Sequence, residues 1–190
     1  MEAQKLNHYS LKEYLDLEIE TGKKYEYHDG YLYAMAGGSL NHGLICGNIF
    51  GEIRSSLKEK NSACKVINSE IKLHIEARNS FVYPDTMVIC DDIKKSKLEP
   101  NSVVNPILII EVLSKSTANY DRGDKFHLYR QIPTLKEYIL IEQDSHQIDS
   151  YNRKSDLWKI TRVEGIDANL KIESLNIIIP FKEIYRDTES

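Results

Sequence analysis

The run Ile107-Leu108-Ile109-Ile110-Glu111-Val112-Leu113 is apolar at every position but one. It is too short for a membrane helix and reads as a buried strand. Its one acid is therefore costly, because a buried carboxylate must be paired or must coordinate something. A second segment, Tyr83-Pro84-Asp85-Thr86-Met87-Val88-Ile89, has the same character and again carries a single acid. A period of two puts Asp85, Met87 and Ile89 on one strand face and Thr86, Val88 and Cys90 on the other. In the later strand, Ile107, Ile109, Glu111 and Leu113 share a face. If the two strands pair, both carboxylates converge at one end of a common face.

The rest of the chain supplies a frame for these strands. Ser10 followed by Glu13 is a capping signal for a helix over residues 10–19, with Leu11, Tyr14, Leu15 and Glu18 at helical spacing. Residues 25–36 alternate around His28-Asp29-Gly30, a hairpin signal. Ser39 caps a helix running to about Lys58, in which Ile45, Ile49, Ile53 and Leu57 define a buried stripe. Strands are predicted at residues 65–75, 83–90 and 107–113, a helix at 119–131 and a strand at 137–141. A hairpin at 147–151 and 157–161 follows, then a last apolar strand at 175–179 that Pro180 stops. Residues 91–105 form the one long loop, joining the two acid-bearing strands. This order describes a mixed α/β sheet flanked by helices, with an added C-terminal hairpin region. With no repeat or linker, residues 1–190 read as a single domain.

Composition narrows the chemistry. The net charge of −4 disfavours a protein that coats nucleic acid through basic residues. It permits an enzyme in which a metal supplies positive charge at the phosphate. Met1-Glu2-Ala3-Gln4-Lys5-Leu6-Asn7 lacks the apolar core of a secretory signal. Cys46, Cys64 and Cys90 are odd in number and have no metal-ligand spacing, so they read as reduced thiols. Together these features predict a cytoplasmic protein without a membrane partner.

Oxygen ligands such as Asp85 and Glu111 suit Mg²⁺ or Mn²⁺, which polarise a phosphate and acidify a bound water. Each acid could equally be a strand-end residue paired with a surface lysine. Lys125 lies three, four and seven residues before Leu128, Tyr129 and Ile132 and so shares their core-facing side. There it could orient water or stabilise charge on phosphate; the alternative is an outward salt bridge with Asp121. Glu26 is either a further metal ligand or the solvent face of an edge strand. His42, near a helix start, reads as a capping-turn polar residue, and Glu70 as a peripheral candidate. Ala36-Gly37-Gly38-Ser39 is a turn and not a phosphate loop. Zinc-hydrolase and nucleophile-elbow motifs are missing.

The ordered set Tyr25-Glu26-Tyr27-His28-Asp29-Gly30, Met35 to His42, Pro84-Asp85, Ile110-Glu111-Val112-Leu113-Ser114, Tyr120-Asp121-Arg122 with Lys125 and Tyr129, and Lys136-Glu137-Tyr138 resembles the Uma-type putative restriction endonuclease family. That family belongs to the PD-(D/E)XK nuclease superfamily. The resemblance implies a restriction-endonuclease-like core and divalent-metal hydrolysis of phosphodiesters; the leading expectation takes DNA as the substrate. By motif position Asp85 and Glu111 match metal ligands, Glu26 the family's N-terminal acid and Lys125 the catalytic lysine. The superfamily's usual lysine, two residues after the acid, is here Leu113; in this family it has migrated to the following helix. The expectation is a Mg²⁺- or Mn²⁺-dependent endonuclease, homodimeric if both strands are cut. The rival expectation is a catalytically silent nuclease-fold module that binds nucleic acid or protein.

Overall fold

A computed structural model describes residues 8–35, 37–115 and 117–189; the N-terminal segment read above for a signal, and Ala36, lie outside them. Ser10 caps helix α1 (Leu11–Thr21) as the sequence predicts. Its hydroxyl accepts the Glu13 N–H and Glu13 answers with a bond to the Ser10 N–H. The first hairpin, β1 (Tyr25–His28) and β2 (Tyr31–Ala34), turns through Asp29 and Gly30, both at positive φ, the backbone that a two-residue turn of this hand requires. Helix α2 (Leu40–Glu59) buries Ile45, Ile49, Ile53 and Leu57 as its periodicity demands. Full burial of each such side chain contributes about 1.5–3 kcal/mol.

The strands that follow are β3 (Lys65–Asn68), β4 (Leu73–Ile75), β5 (Ser80–Val82), β6 (Thr86–Ile89) and β7 (Leu108–Leu113). Then come β8 (Glu137–Glu142), β9 (Gln147–Lys154) and β10 (Leu157–Glu164), and finally β11 (Asn169–Ile172) and β12 (Ile177–Pro180). Six of them form the main sheet in the order β10-β9-β8-β7-β6-β3, and β2-β1-β5-β4 form a smaller one. Within the main sheet only β7 and β8 run parallel. Their crossover is a helix that begins as α3 (Ala118–Tyr120), widens to a π-helical turn over Asp121–Lys125 and closes as α4 (Phe126–Tyr129).

Strand β7 lacks alternation because it is covered on both sides. Leu108, Ile110 and Val112 pack with the α2 stripe. Ile109 and Leu113 pack with Met87, Tyr129, Ile132 and Tyr138, beside Leu73 and Ile75 of the smaller sheet.

Several boundaries move. The strand expected over residues 65–75 breaks after Asn68, whose side chain accepts the Glu70 N–H at 3.2 Å; this turn sends β3 to one sheet and β4 to the other. The strand expected over 83–90 is shortened to β6. Pro84 separates β5 from β6, so Asp85 precedes the strand and is only half-buried. At the C-terminus, β12 pairs with the unforeseen β11, and Pro180 ends the strand opposite Asn169 before helix α5 (Phe181–Ile184).

The reading of three reduced cysteines is corrected. Cys64 and Cys90 are joined by a disulfide and Cys46 is the free cysteine. They flank the pair Lys65↔Ile89 in the β3–β6 ladder, so register brings them face to face, which spacing along the chain could not reveal. With Cys64 and Cys90 bonded, the cysteines no longer point to a cytoplasmic location. No helix among the described residues is long and apolar enough to cross a membrane.

Candidate functional site

The junction of the two sheets is where the acids meet. Register pairs Thr86 with Ile110, and one step further sets Asp85 opposite Glu111. The two are tied by backbone as well: the Val112 N–H donates to Asp85 Oδ2 at 2.8 Å and the Asp85 N–H to Glu111 Oε2 at 3.3 Å. Glu111 is 3% exposed, Glu26 on β1 is also 3%, and Lys125 is 6%. A cavity of about 790 Å³ opens over them, lined also by Tyr33, His42, Tyr120 and Asp121.

Lys125 points inward. Its ammonium lies 2.8 Å from Glu111 Oε1, 3.3 Å from Glu26 Oε1 and 3.5 Å from Asp121 Oδ1. The ion pair with Asp121 thus exists, but inside the molecule and shared with two further acids. Asp121 and Lys125 are the buried residues of the π-helical turn. Such widened turns concentrate at functional sites.

Neutral donors complete the cluster. The Tyr129 hydroxyl donates to Glu111 Oε1 at 2.6 Å and the Tyr120 hydroxyl to Glu26 Oε2 at 3.0 Å, with His28 Nε2 2.9 Å from the Tyr120 oxygen. Sequence reasoning missed Tyr120, Tyr129, His28 and Asp121 as members. Each lies within the motif segments, but its direction depends on the π-helical turn or on the β1–β2 hairpin.

Three carboxylates around one ammonium cannot all be charged at low cost. Burial, and the negative charge of Asp85, push the Glu111 carboxyl up to about 8 despite Lys125. Burial also acts on Glu26, but Lys125, His28 and Tyr120 together outweigh it and hold its carboxyl down at about 2. Burial raises Asp121. Burial opposes the charge on Lys125 as well, yet Glu111 and Glu26 overcome it and keep the ammonium protonated.

On the other flank of Asp85 sits His42, which sequence reading assigned to helix capping. Its N–H does accept that role, donating to Ser39 Oγ at 3.1 Å, but its ring reaches Asp85, with Nε2 3.4 Å from Oδ2. The hydrogen bond to Asp85 raises the imidazole above its ordinary value. Gly38 makes room for the ring, because a Cβ there would come within 2.7 Å of His42 Nδ1. Glu70 is exposed, pairs with Lys24 at 2.7 Å and does not line the cavity.

The oxygen donors of Asp85 and Glu111, side by side at a cavity, fit a hard divalent cation. Glu26 is held differently: Lys125 stands between it and Glu111. Among the described residues, the trio whose donors all lie within 4.8 Å of one another is His42, Cys46 and Asp85.

A family model described as "Putative restriction endonuclease", Uma2, matches residues 11–179. Two proteins of Synechocystis sp. (strain ATCC 27184 / PCC 6803 / Kazusa) are similar along nearly the whole chain. Uncharacterized protein slr1290 is 35% identical over 93% of this chain and 91% of its own length. Uncharacterized protein sll1609 is 33% identical over 87% and 93%. Among solved structures, the crystal structure of a putative nuclease belonging to DUF820 from Anabaena variabilis ATCC 29413 superposes with a TM-score of 0.73. It is 18% identical, covers 93% of this chain and 97% of that one, and bears out the mixed α/β nuclease-like fold.

Proposed function

The chain belongs to the Uma2 family, and from that premise we propose that it is a Mg²⁺- or Mn²⁺-dependent endonuclease that hydrolyses phosphodiester bonds of DNA, built as one unit over residues 1–190. One observation carries the reading: a buried lysine ammonium 2.8 Å from Glu111, beside a second acid whose backbone and side chain are tied to the same strand. Asp85 and Glu111 would hold the cation, which when bound supplies positive charge against the phosphate and an acidified water.

The remaining roles belong to the protein. Lys125, facing the cavity edge of this pair, orients the attacking water or a phosphate oxygen. Glu26 and Asp121 fix the ammonium in place, so Glu26 acts on Lys125 more directly than on the cation. Tyr129 holds Glu111 through its short hydrogen bond. Holding a cation would require the carboxylate form of Glu111, so cation and proton would compete for it.

Linear and supercoiled DNA, with an RNA duplex in parallel, incubated with and without Mg²⁺ or Mn²⁺, tests the reading. Metal-dependent DNA cleavage that is lost in Asp85→Ala and in Lys125→Ala is expected. Cleavage retained in both variants rejects the site. Both oxygens of Glu111 are already engaged by protein donors, which favours the rival reading of a silent binding module. Absence of cation binding by calorimetry, with DNA affinity unchanged in Asp85→Ala, would select that rival.

A further inference from the structure

Cys46 has no part in the proposed hydrolysis, yet it stands beside it. His42 and Cys46 are four residues apart in α2, one helical turn, so their side chains leave the same face. That face looks onto Asp85. His42 Nδ1 is 3.6 Å from Cys46 Sγ, and His42 Nε2 is 3.4 Å from Asp85 Oδ2. One donor from each residue lies within 4.8 Å of the other two, and all three side chains are half-buried.

The donor types are informative. Imidazole, thiolate and carboxylate together suit a borderline cation such as Zn²⁺, whereas Mg²⁺ takes oxygen ligands and keeps its waters. With Zn–S near 2.3 Å and Zn–N or Zn–O near 2.0 Å, tetrahedral geometry separates neighbouring ligands by about 3.3–3.5 Å. The 3.6 and 3.4 Å spacings belong to opposite ring nitrogens, so one nitrogen must serve both partners. From the common limit of 4.8 Å the donors would close by up to about 1.5 Å, by rotation of their side chains. The space left by Gly38 lets the imidazole sit against the glycine backbone and fixes where its nitrogens lie.

We propose that His42, Cys46 and Asp85 form a second cation seat that takes Zn²⁺ in preference to Mg²⁺. Because it shares Asp85 with the hydrolytic site, zinc in this seat excludes the harder cation. Zinc binding releases the Cys46 thiol proton to solvent and leaves one tetrahedral position for water. The seat itself stands on the three donors; only the exclusion of Mg²⁺ rests on the function proposed above.

Cobalt(II), which reports thiolate ligation by colour, tests the seat on the full chain with its disulfide intact. One equivalent should give a thiolate-to-cobalt charge-transfer band in the near ultraviolet that survives millimolar Mg²⁺ and vanishes on adding Zn²⁺. Cys46→Ser and Cys46→Ala, each checked for an unchanged circular-dichroism spectrum, should lack the band. His42→Ala should weaken cobalt binding at least about tenfold. No band in the wild-type protein, or a band that persists in both Cys46 variants, overturns the proposal. In the cleavage assay, scaled to each variant's own metal-dependent rate, zinc should inhibit wild type at concentrations at least about tenfold below those needed for Cys46→Ser. Equal inhibition rejects the exclusion. If no cleavage is found at all, the nuclease reading fails while the cobalt spectrum still decides the seat.

Discussion

The two flanks of Asp85 meet the same problem with different means. On the strand side, Glu26, Glu111 and Asp121 surround a built-in cation, Lys125, and are buried with it. On the helix side, His42 and Cys46 face Asp85 with no such cation, and the group is half-buried. A permanent ammonium lets acids sit almost wholly buried in the cavity wall; donors left without one stay more exposed, where an exchangeable cation can reach them. The lysine flank is thus committed to structure as well as chemistry, the histidine flank to ligands.

The largest expected effect separates them by stability. Lys125→Ala leaves Glu26, Glu111 and Asp121 buried without their cation and should cost about 3–5 kcal/mol. Asp85→Ala, at the open flank, should cost about 1–3 kcal/mol, chiefly from the unpaired Val112 N–H. Urea unfolding of the two variants measures the gap; equal losses would erase the comparison. Adding Glu26→Gln to Lys125→Ala should restore part of the stability, since it removes one of the stranded charges. Tyr129→Phe comes next, with an expected loss of about 1–2 kcal/mol from the missing hydrogen bond to Glu111, read from the same unfolding curves.

A pH series sharpens the comparison further. Glu111 holds its proton up to about 8 in the folded protein, against an ordinary value of 4.5. The folded state therefore binds a proton that the unfolded chain releases between those values, so this group's contribution to stability declines as pH rises through the window. Glu111→Gln should flatten that part of the urea-midpoint profile between pH 5 and 8. Mg²⁺ affinity should move the other way, rising with pH until Glu111 is deprotonated near 8, because cation and proton compete for it. Calorimetry in buffers of different ionisation enthalpy counts the proton released. The smallest effect belongs to Gly38→Ala. Its new Cβ would crowd His42 Nδ1, changing stability by no more than about 0.5 kcal/mol while weakening cobalt binding on the helix flank alone.

Parts of this arrangement were legible in the sequence. The Ile45, Ile49, Ile53 and Leu57 stripe and the unbroken apolar run of β7 speak for themselves, because periodicity and burial are local properties. Asp85, Glu111, Lys125 and Glu26 stood out as charges in or beside apolar segments. What could not be read was the partition of strands between two sheets: the Asn68 turn and Pro84 look like minor breaks until each sends the chain into a different sheet. Cys64 and Cys90 likewise meet only through the β3–β6 register.

The site divides along the same line. By itself the sequence determined which residues are costly to bury and on which faces of their elements they lie, since alternation and helical spacing depend on neighbours along the chain. Only the tertiary structure decided their partners. Asp121 and Lys125 are buried together in a π-helical turn, Tyr129 came to Glu111, and His42 with Cys46 came to the flank of Asp85. The physical reason is that hydrogen bonds and ion pairs act over about 3 Å, and contacts of that length between distant segments exist only once the two sheets and α2 have packed.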